Sequence, residues 1–438
     1  MKKLLQKASI VSFSILLLIS CSTSNEQKQR TADEYKNATK FMQRSWYGKV
    51  HNQIGSQNWT SDDELIYSKS TENGTAYVSV NTKTKEKTNL TDYKAPKKEA
   101  SSASRNEHVS PNGKLAAYID NYNLWVRDLL TNKKTQITFD GKEDYGYATN
   151  NAGWTKGDNA VLKWSPNSDK IATFQQDARG VGMMYLTTTN VGHQKLEAWK
   201  HPLPGDKTIF TIERVIIHLG AKPKLVRLKM GKDFQRGTTT DHIAGRGGVL
   251  LDAQWSNDGS KFAFVSGSRD HKEAHLQIAD SKTGRVSSIH KEVVDTYYES
   301  GVRAENWRVL FDSNEFIWYS EKSNWGHIYL YDLNTSKLKN QITSGDWLLK
   351  QVKYVDQKSR EIFFTAGGKE KGNPYHDYIY KVNFDGNSLT NLTPDKGHHS
   401  ASFSPNMNYF VDTYSTTNTP PISVLRDRNG VQIVDLET

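Results

Sequence analysis

The sequence predicts an all-β chain, a seven- or eight-bladed β-propeller of four-stranded antiparallel blades, preceded by a lipoprotein signal and a short helix. Three observations predict it. A phrase made of one aromatic or apolar residue, a Ser-Pro-Asn-type turn and a β-rich run recurs along the 438 residues. The full copies are followed by a second hairpin, so one unit holds four strands in about 40–50 residues, the repeat length of a propeller blade. Aromatic residues make up 11% of the chain, with 11 Trp, 21 Tyr and 15 Phe, and such side chains suit a pleated, half-buried surface.

In chain order, Lys2, Lys3 and Lys7 precede an apolar stretch from Ala8 to Ile19. A basic start followed by a short apolar run is a secretory signal, too short for a membrane span. The run ends Leu18-Ile19-Ser20-Cys21, which resembles the bacterial lipobox, so residues 1–20 are expected to be a signal peptide and Cys21 the lipidated residue. The alternative is an ordinary signal peptide with an incidental Cys. Residues 21–31 read as a polar tether. Ser22, rather than Asp, after the Cys favours the outer membrane of a bacterial cell envelope. Tyr35, Ala38, Phe41 and Met42 stand at helical spacing, which predicts a short amphipathic helix over 32–45 ahead of a propeller over 46–438.

The clearest copies of the repeat begin at Val109-Ser110-Pro111-Asn112, Trp164-Ser165-Pro166-Asn167, Trp255-Ser256-Asn257-Asp258 and Phe403-Ser404-Pro405-Asn406. Weaker ones begin at Trp59, Phe311 and Tyr354. The turn residues Thr60, Ser110, Ser165, Ser256, Asp312, Asp356 and Ser404 are 44 to 56 residues apart, except for one interval of 91 between Ser165 and Ser256. A degenerate copy around Lys207 to Arg227 would make eight blades. A long inserted hairpin would leave seven.

Composition narrows the function. Hydrophobic residues at 36% and charged residues at 24% exclude a disordered, collagen-like or multi-span membrane protein. A single Cys excludes an intrachain disulfide and a Cys-based zinc cluster. The net charge of +10 is spread over a large body without an Arg-rich block, so no nucleic-acid partner is expected. His271 and His275 have the i, i+4 spacing of a zinc helix, but they fall at a hairpin, where that spacing does not bring two side chains together, and no metal or cofactor is expected. His398 and His399 read as surface or blade-edge residues. Glu292, Asp295, Glu299 and Glu305 form an acidic stretch that either lines a propeller mouth or is a solvated loop. Lys222, Lys224, Arg227, Lys229 and Lys232 read as a basic, solubilising strand edge.

Two stretches carry a family resemblance. Trp318-Tyr319-Ser320-Glu321, Trp325-Gly326-His327-Ile328-Tyr329 and Ile342-Thr343-Ser344-Gly345-Asp346-Trp347 form one; His399 onward, with Phe403-Ser404-Pro405, Tyr414-Ser415 and Pro420-Pro421, forms the other. Together they resemble the N-terminal propeller of the dipeptidyl peptidase IV family of serine peptidases, over about residues 33–438. The resemblance implies a C-terminal α/β-hydrolase domain carrying a Ser on a Gly-x-Ser-x-Gly elbow with His and Asp partners. No Gly-x-Ser-x-Gly occurs here, and the nearest shape, Gly153-Trp154-Thr155-Lys156-Gly157, has Thr at its centre and reads as a loop. The family's paired Glu, which would hold a substrate amine, maps to the stretch from Tyr145 to Trp154, which has no carboxylate; Asn150 and Asn151 are its position-equivalents.

The expectation is therefore a lipid-anchored propeller of a dipeptidyl peptidase IV-like serine peptidase, engaged in peptide breakdown at the cell envelope. It has no catalytic triad of its own, is inactive alone, and handles peptides for a separate α/β-hydrolase chain. The helix supports such a partner, because it would otherwise expose an apolar stripe. The alternatives are a non-catalytic peptide- or protein-binding propeller lipoprotein and a remnant without retained function.

Overall fold

The Ser-Pro-Asn phrase recurs because one turn recurs. In four hairpins the serine, Ser110, Ser165, Ser256 or Ser404, is buried, and its hydroxyl accepts the backbone N–H five residues on, from Leu115, Lys170, Lys261 and Tyr409 at 2.9–3.1 Å. The same serine donates its own N–H to the carbonyl of that residue. Three positions after the serine the backbone is left-handed, at Gly113 (φ 72°), Ser168 (φ 60°), Gly259 (φ 66°) and Met407 (φ 59°). The motif is thus a self-capped turn launching a buried strand.

The computed structural model describes residues 30–40, 42, 50–91, 93–94, 103–149, 159–234, 250–300 and 305–438. They fall into two compact units, one of Met1–Thr91 with Glu437–Thr438 and one of Asp92–Leu436.

The first unit opens with α1 (Ala32–Thr39). Thr31 caps it, its hydroxyl accepting the Glu34 N–H at 3.2 Å while the Glu34 carboxylate accepts the Thr31 N–H at 2.8 Å. The helix ends at Thr39, short of the expected 45, because Lys40 already serves as its C-cap and Met42 lies in a bend. No residue of α1 is buried, and Phe41 and residues 43–45 lie outside the described residues. The unit's sheet runs β1 (Ile54–Ser61), β2 (Glu64–Thr71), β3 (Gly74–Asn81) and β4 (Lys87–Leu90) in sequence order. Buried Tyr67 donates to the Glu437 carboxylate at 2.7 Å, and Lys69 and Lys87 complete that acid's partners.

The second unit is a series of sheets. They are β5–β8 (His108–Val109, Leu115–Asp120, Asn123–Asp128, Lys134–Gln136), a sheet that begins at Lys163, and β16–β19 (Ala253–Trp255, Lys261–Gly267, Glu273–Asp280, Val286–Val293). Then follow β20–β23 (Arg308–Leu310, Glu315–Ser320, His327–Asp332, Leu338–Gln341), β24–β27 (Leu348–Asp356, Glu361–Gly367, Asp377–Asn383, Thr390–Asn391) and β28–β31 (His398–Phe403, Tyr409–Thr416, Thr419–Asp427, Gln432–Glu437). Apart from the sheet that begins at Lys163, each is a four-stranded antiparallel meander in sequence order. Successive sheets share apolar cores, such as Phe174, Ile212 and Ile216 against Trp255, Phe262 and Phe264, and Ile317 and Tyr319 against Leu349 and Phe364. Polar stitches join their first strands. Trp164 Nε1 donates to the His108 carbonyl, Trp255 Nε1 donates to the Lys163 carbonyl, and the Gln254 amide pairs with both backbone groups of Val309. The all-β chain of four-stranded units is the blade architecture of a β-propeller.

The described residues hold seven blade sheets, and the copy expected around Lys207 to Arg227 is not a separate one. In its place, β13 (Thr211–His218) pairs along its whole length with β10 (Lys170–Asp177), which pairs with β9 (Lys163–Trp164). The blade closes with β14 (Lys224–Arg227) and the short β15 (Asp233–Phe234) on β13. Between β10 and β13 the chain leaves as a two-stranded hairpin, β11 (Met183–Thr187) and β12 (Leu196–Lys200). The 91-residue interval is one blade with an insertion.

Gly326, within the Trp325-Gly326-His327 stretch, has a packing reason. A Cβ there would lie 1.8 Å from the hydroxyl oxygen of buried Tyr319 and 2.8 Å from Leu348 Cδ1. Gly326→Ala is expected to lower stability by about 1–3 kcal/mol through overpacking. An unchanged urea midpoint would contradict this.

Candidate functional site

One cavity, about 640 Å³ in volume, opens between β19 with the loop that follows it and the β21–β22 hairpin of the next blade. β19 carries His290, Lys291 and Glu292 to its rim, and the loop adds Asp295, Tyr297, Tyr298 and Glu299. The facing hairpin supplies Glu321, Lys322, Asn324 and Tyr331. The loop is tied down by backbone bonds, Val294 N–H to the Lys272 carbonyl at 2.9 Å and Tyr298 N–H to the His271 carbonyl at 2.6 Å.

Glu292 is held from the neighbouring blade. Trp318 Nε1 donates to one carboxylate oxygen at 2.7 Å and Ser320 Oγ to the other at 2.6 Å, so residues on the neighbouring blade orient it. Burial raises its pKa, and those two hydrogen bonds and Lys322 offset only part of the rise. The Glu321 carboxyl is also raised, first by burial and then by the negative charges of Glu299 and Glu292. Tyr298 stacks on Trp318 with ring centroids 5.8 Å apart, and its hydroxyl donates to the Tyr319 carbonyl at 3.3 Å. The lysines have other partners as well. Lys322 donates to the Tyr331 hydroxyl at 2.8 Å and lies 3.9 Å over the Tyr329 ring, and Lys291 pairs with Glu273 at 2.9 Å.

His290 lies among Phe316, Trp318 and Tyr331, with ring centroids 4.8–5.5 Å away. Burial, with the nearby Lys322 charge, pushes its pKa down from 6.5 to about 4. Between these two values the unfolded chain binds a proton that the folded chain refuses. Stability is therefore lost as pH falls from about 6.5 to about 4, by on the order of 3 kcal/mol from this group. Glu292 and Glu321, with raised values, act in the opposite sense, favouring the fold at acid pH and losing that contribution as pH rises. His290→Phe is expected to flatten the decline across that window relative to the unsubstituted protein. Parallel stability curves against pH would contradict the assignment.

The acidic stretch is split by the fold. Glu292, Asp295 and Glu299 reach the cavity, whereas Glu305 sits elsewhere, its carboxylate accepting the Asp252 N–H at 2.6 Å in a buried group with Lys163 and Arg308. Glu321 and Lys322 were absent from the candidate residues read in the sequence. Their signal was the polar Ser320-Glu321 ending an otherwise aromatic strand. Asn150, Asn151 and Cys21 lie outside the described residues, as does the 153–157 stretch. The segment leading to Asn150 is buried in a polar network, with Tyr147 donating to Asp140 at 2.7 Å and Arg227 donating to Tyr147 and Gln175. Arg227 and Lys232 also pair with Glu213 and Asp177, so those members of the basic strip are neutralised. His275 contacts Glu273 on β18 and His271 stacks on Tyr297; among the described residues no three His, Cys, Asp or Glu side chains group to hold a metal. His398 and His399 both lie on β28, an edge strand of its sheet; His398 is exposed, whereas the His399 side chain is buried, with Asp412 at 2.8 Å and the Asp395 carbonyl at 2.7 Å, and is not a surface residue.

The comparisons with known proteins agree with the blades. The dipeptidyl peptidase 4 of Trichophyton equinum is 33% identical over 110 residues, covering 24% of this chain and 13% of that protein. That of Arthroderma otae is 32% identical over 107 residues, with the same shares. The crystal structure of Porphyromonas gingivalis dipeptidyl peptidase 4 superposes with a TM-score of 0.60 at 18% identity, over 89% of this chain and 50% of that one, a likeness of fold. The chain thus spans about half or less of the length of the proteins it matches. The family model described as the dipeptidyl peptidase IV (DPP IV) N-terminal region matches residues 56–421. With that match covering most of its length, the chain belongs to the dipeptidyl peptidase IV family, through that family's N-terminal region.

Proposed function

We propose that this chain is the substrate-gating propeller of a dipeptidyl peptidase IV-like serine peptidase that degrades peptides at the bacterial cell envelope, held there by a lipid on Cys21. The observation that carries this reading is the family match over residues 56–421. The 438 residues contain no Gly-x-Ser-x-Gly elbow, so the reactive serine is supplied by a hydrolase module outside this sequence. In this arrangement the propeller admits and orients peptides, and without the module the chain does not hydrolyse them.

The test is to extract the protein from its native membranes in mild detergent, purify it, and treat the eluate with a fluorophosphonate that labels activated serines. Labelling of a polypeptide in the eluate is the expected result. An unlabelled eluate would remove the peptidase reading. Incorporation of an alkyne fatty acid, abolished by Cys21→Ser, tests the anchor. A second reading, a peptide-binding propeller without catalysis, is favoured by the 640 Å³ cavity, whose lining comes from within this chain. Peptide binding by an unlabelled eluate would support it.

A further inference from the structure

We infer that the turns joining the last two strands of four successive blades form a docking surface for an anionic phospholipid bilayer. The inference is separate from the peptidase reading and needs no lipid on Cys21.

The surface is built on the part of the basic strip that the fold does not neutralise. Arg227 and Lys232 have carboxylate partners, whereas Lys222 and Lys224, at the β13–β14 turn, are exposed. The β18–β19 turn adds exposed Lys282 and Arg285, and the β22–β23 turn adds exposed Lys337. In the β7–β8 turn Lys133 and Lys134 are exposed as well. Among the described residues none of these cations is ion-paired. The acids of the same turns, Asp128, Asp280 and Asp332, each accept the N–H of the threonine three residues on, at 2.7–2.8 Å, so they close the turns and leave the cations in excess.

These turns are neighbours. His218 Nε2 donates to the Ser281 carbonyl at 2.7 Å, the Lys229 N–H donates to the Gly284 carbonyl at 2.7 Å, and His290 Nδ1 lies 3.3 Å from Ser336 Oγ, which joins three of them in a row. The β7–β8 turn adjoins the row through Leu129 N–H to the Lys114 carbonyl, Asn112 N–H to the Ser168 hydroxyl and Leu219 N–H to the Asp169 carbonyl. The row stops at the β26–β27 turn, which carries exposed Asp385 and no lysine.

A second observation names the partner. Leu130, on the β7–β8 turn, is 91% exposed, and Leu338, between Lys337 and Lys339, is 49% exposed. Aliphatic side chains projecting among lysines suit the headgroup region of a bilayer, where the cations meet lipid phosphates and the leucines reach the acyl boundary. An acidic protein surface would answer the lysines but not a leucine that stands out from its turn.

The experiment uses the full chain with Cys21→Ser, so that no lipid is attached at that residue, and vesicles of phosphatidylcholine alone or with about 30% phosphatidylglycerol, read by co-sedimentation. Binding to the anionic vesicles is expected to be about tenfold tighter, and to fall as salt rises from about 0.1 M to about 0.5 M. Combining Lys222→Gln, Lys224→Gln, Lys282→Gln and Lys337→Gln is expected to remove most of that preference. Leu130→Ser with Leu338→Ser is expected to weaken binding about threefold. Neither variant is expected to move the urea midpoint. Equal binding to the two kinds of vesicle, or binding to neither, overturns the inference and leaves the peptidase reading standing. An anionic preference that survives the four lysine substitutions overturns the assignment to these turns. A lysine-dependent preference that the leucine pair leaves untouched overturns the role given to the leucines.

Discussion

Asp412→Ala is expected to cost about 3–5 kcal/mol, among the largest effects of any single substitution in this protein. The Asp412 carboxylate is fully buried. One oxygen faces His399 Nδ1 at 2.8 Å and the other accepts from Arg426 Nε at 2.9 Å. The Arg426 side chain is only 3% exposed, and its other partners are the Gly430 carbonyl and the half-exposed Asp395. Removing Asp412 leaves a buried guanidinium short of countercharge and a buried imidazole short of a partner. The penalty comes from those stranded groups rather than from the worth of the pair itself. Urea unfolding of the purified chain measures it, and a loss below about 1 kcal/mol would show that the charges rearrange or hydrate. Asp412→Asn keeps the shape and is expected to lose less than Asp412→Ala.

Trp318→Ala is expected to cost a similar amount, about 3–5 kcal/mol, and to disorder the cavity with it. Trp318 is fully buried on β21, stacked by Tyr298 and approached edge-on by His290. It also donates the hydrogen bond that holds Glu292. Trp318→Phe separates the two roles. It retains most of the apolar contact and loses the N–H, so it is expected to cost less stability while freeing Glu292 to turn. If Phe and Ala variants unfold at the same urea concentration, packing is not what the indole supplies.

The blade pattern was legible because it is local. Ser110, Ser165, Ser256 and Ser404 each fold back on an N–H five residues away, so the code for the turn fits inside a six-residue window. The interval of 91 left seven and eight blades open for a complementary reason. Thr211–His218 reads like the start of a unit, and nothing in its own residues says that it pairs with Lys170–Asp177 across an inserted hairpin. Gly326 was legible as part of a family phrase, but its cause is the Tyr319 hydroxyl that fills the space where a Cβ would stand.

The candidate site divides along the same line. Glu292, Asp295 and Glu299 were visible as an acidic stretch, yet the sequence did not separate them from Glu305, which the fold sends into a buried pair with the Asp252 backbone. His399 read as a surface or blade-edge residue; it is on an edge strand, and its burial was not legible because its partner Asp412 is on the next strand.

Taken alone, the sequence determined the repeat, its turns, the four-stranded unit and the family, all of which depend on neighbours within one hairpin or on a residue phrase. Tertiary structure decided which repeats are whole blades, which acids are buried and which side chains from successive blades meet around one cavity. Those outcomes depend on pairings between strands far apart in the chain, where desolvation and hydrogen bonding are set by whatever the other blade presents.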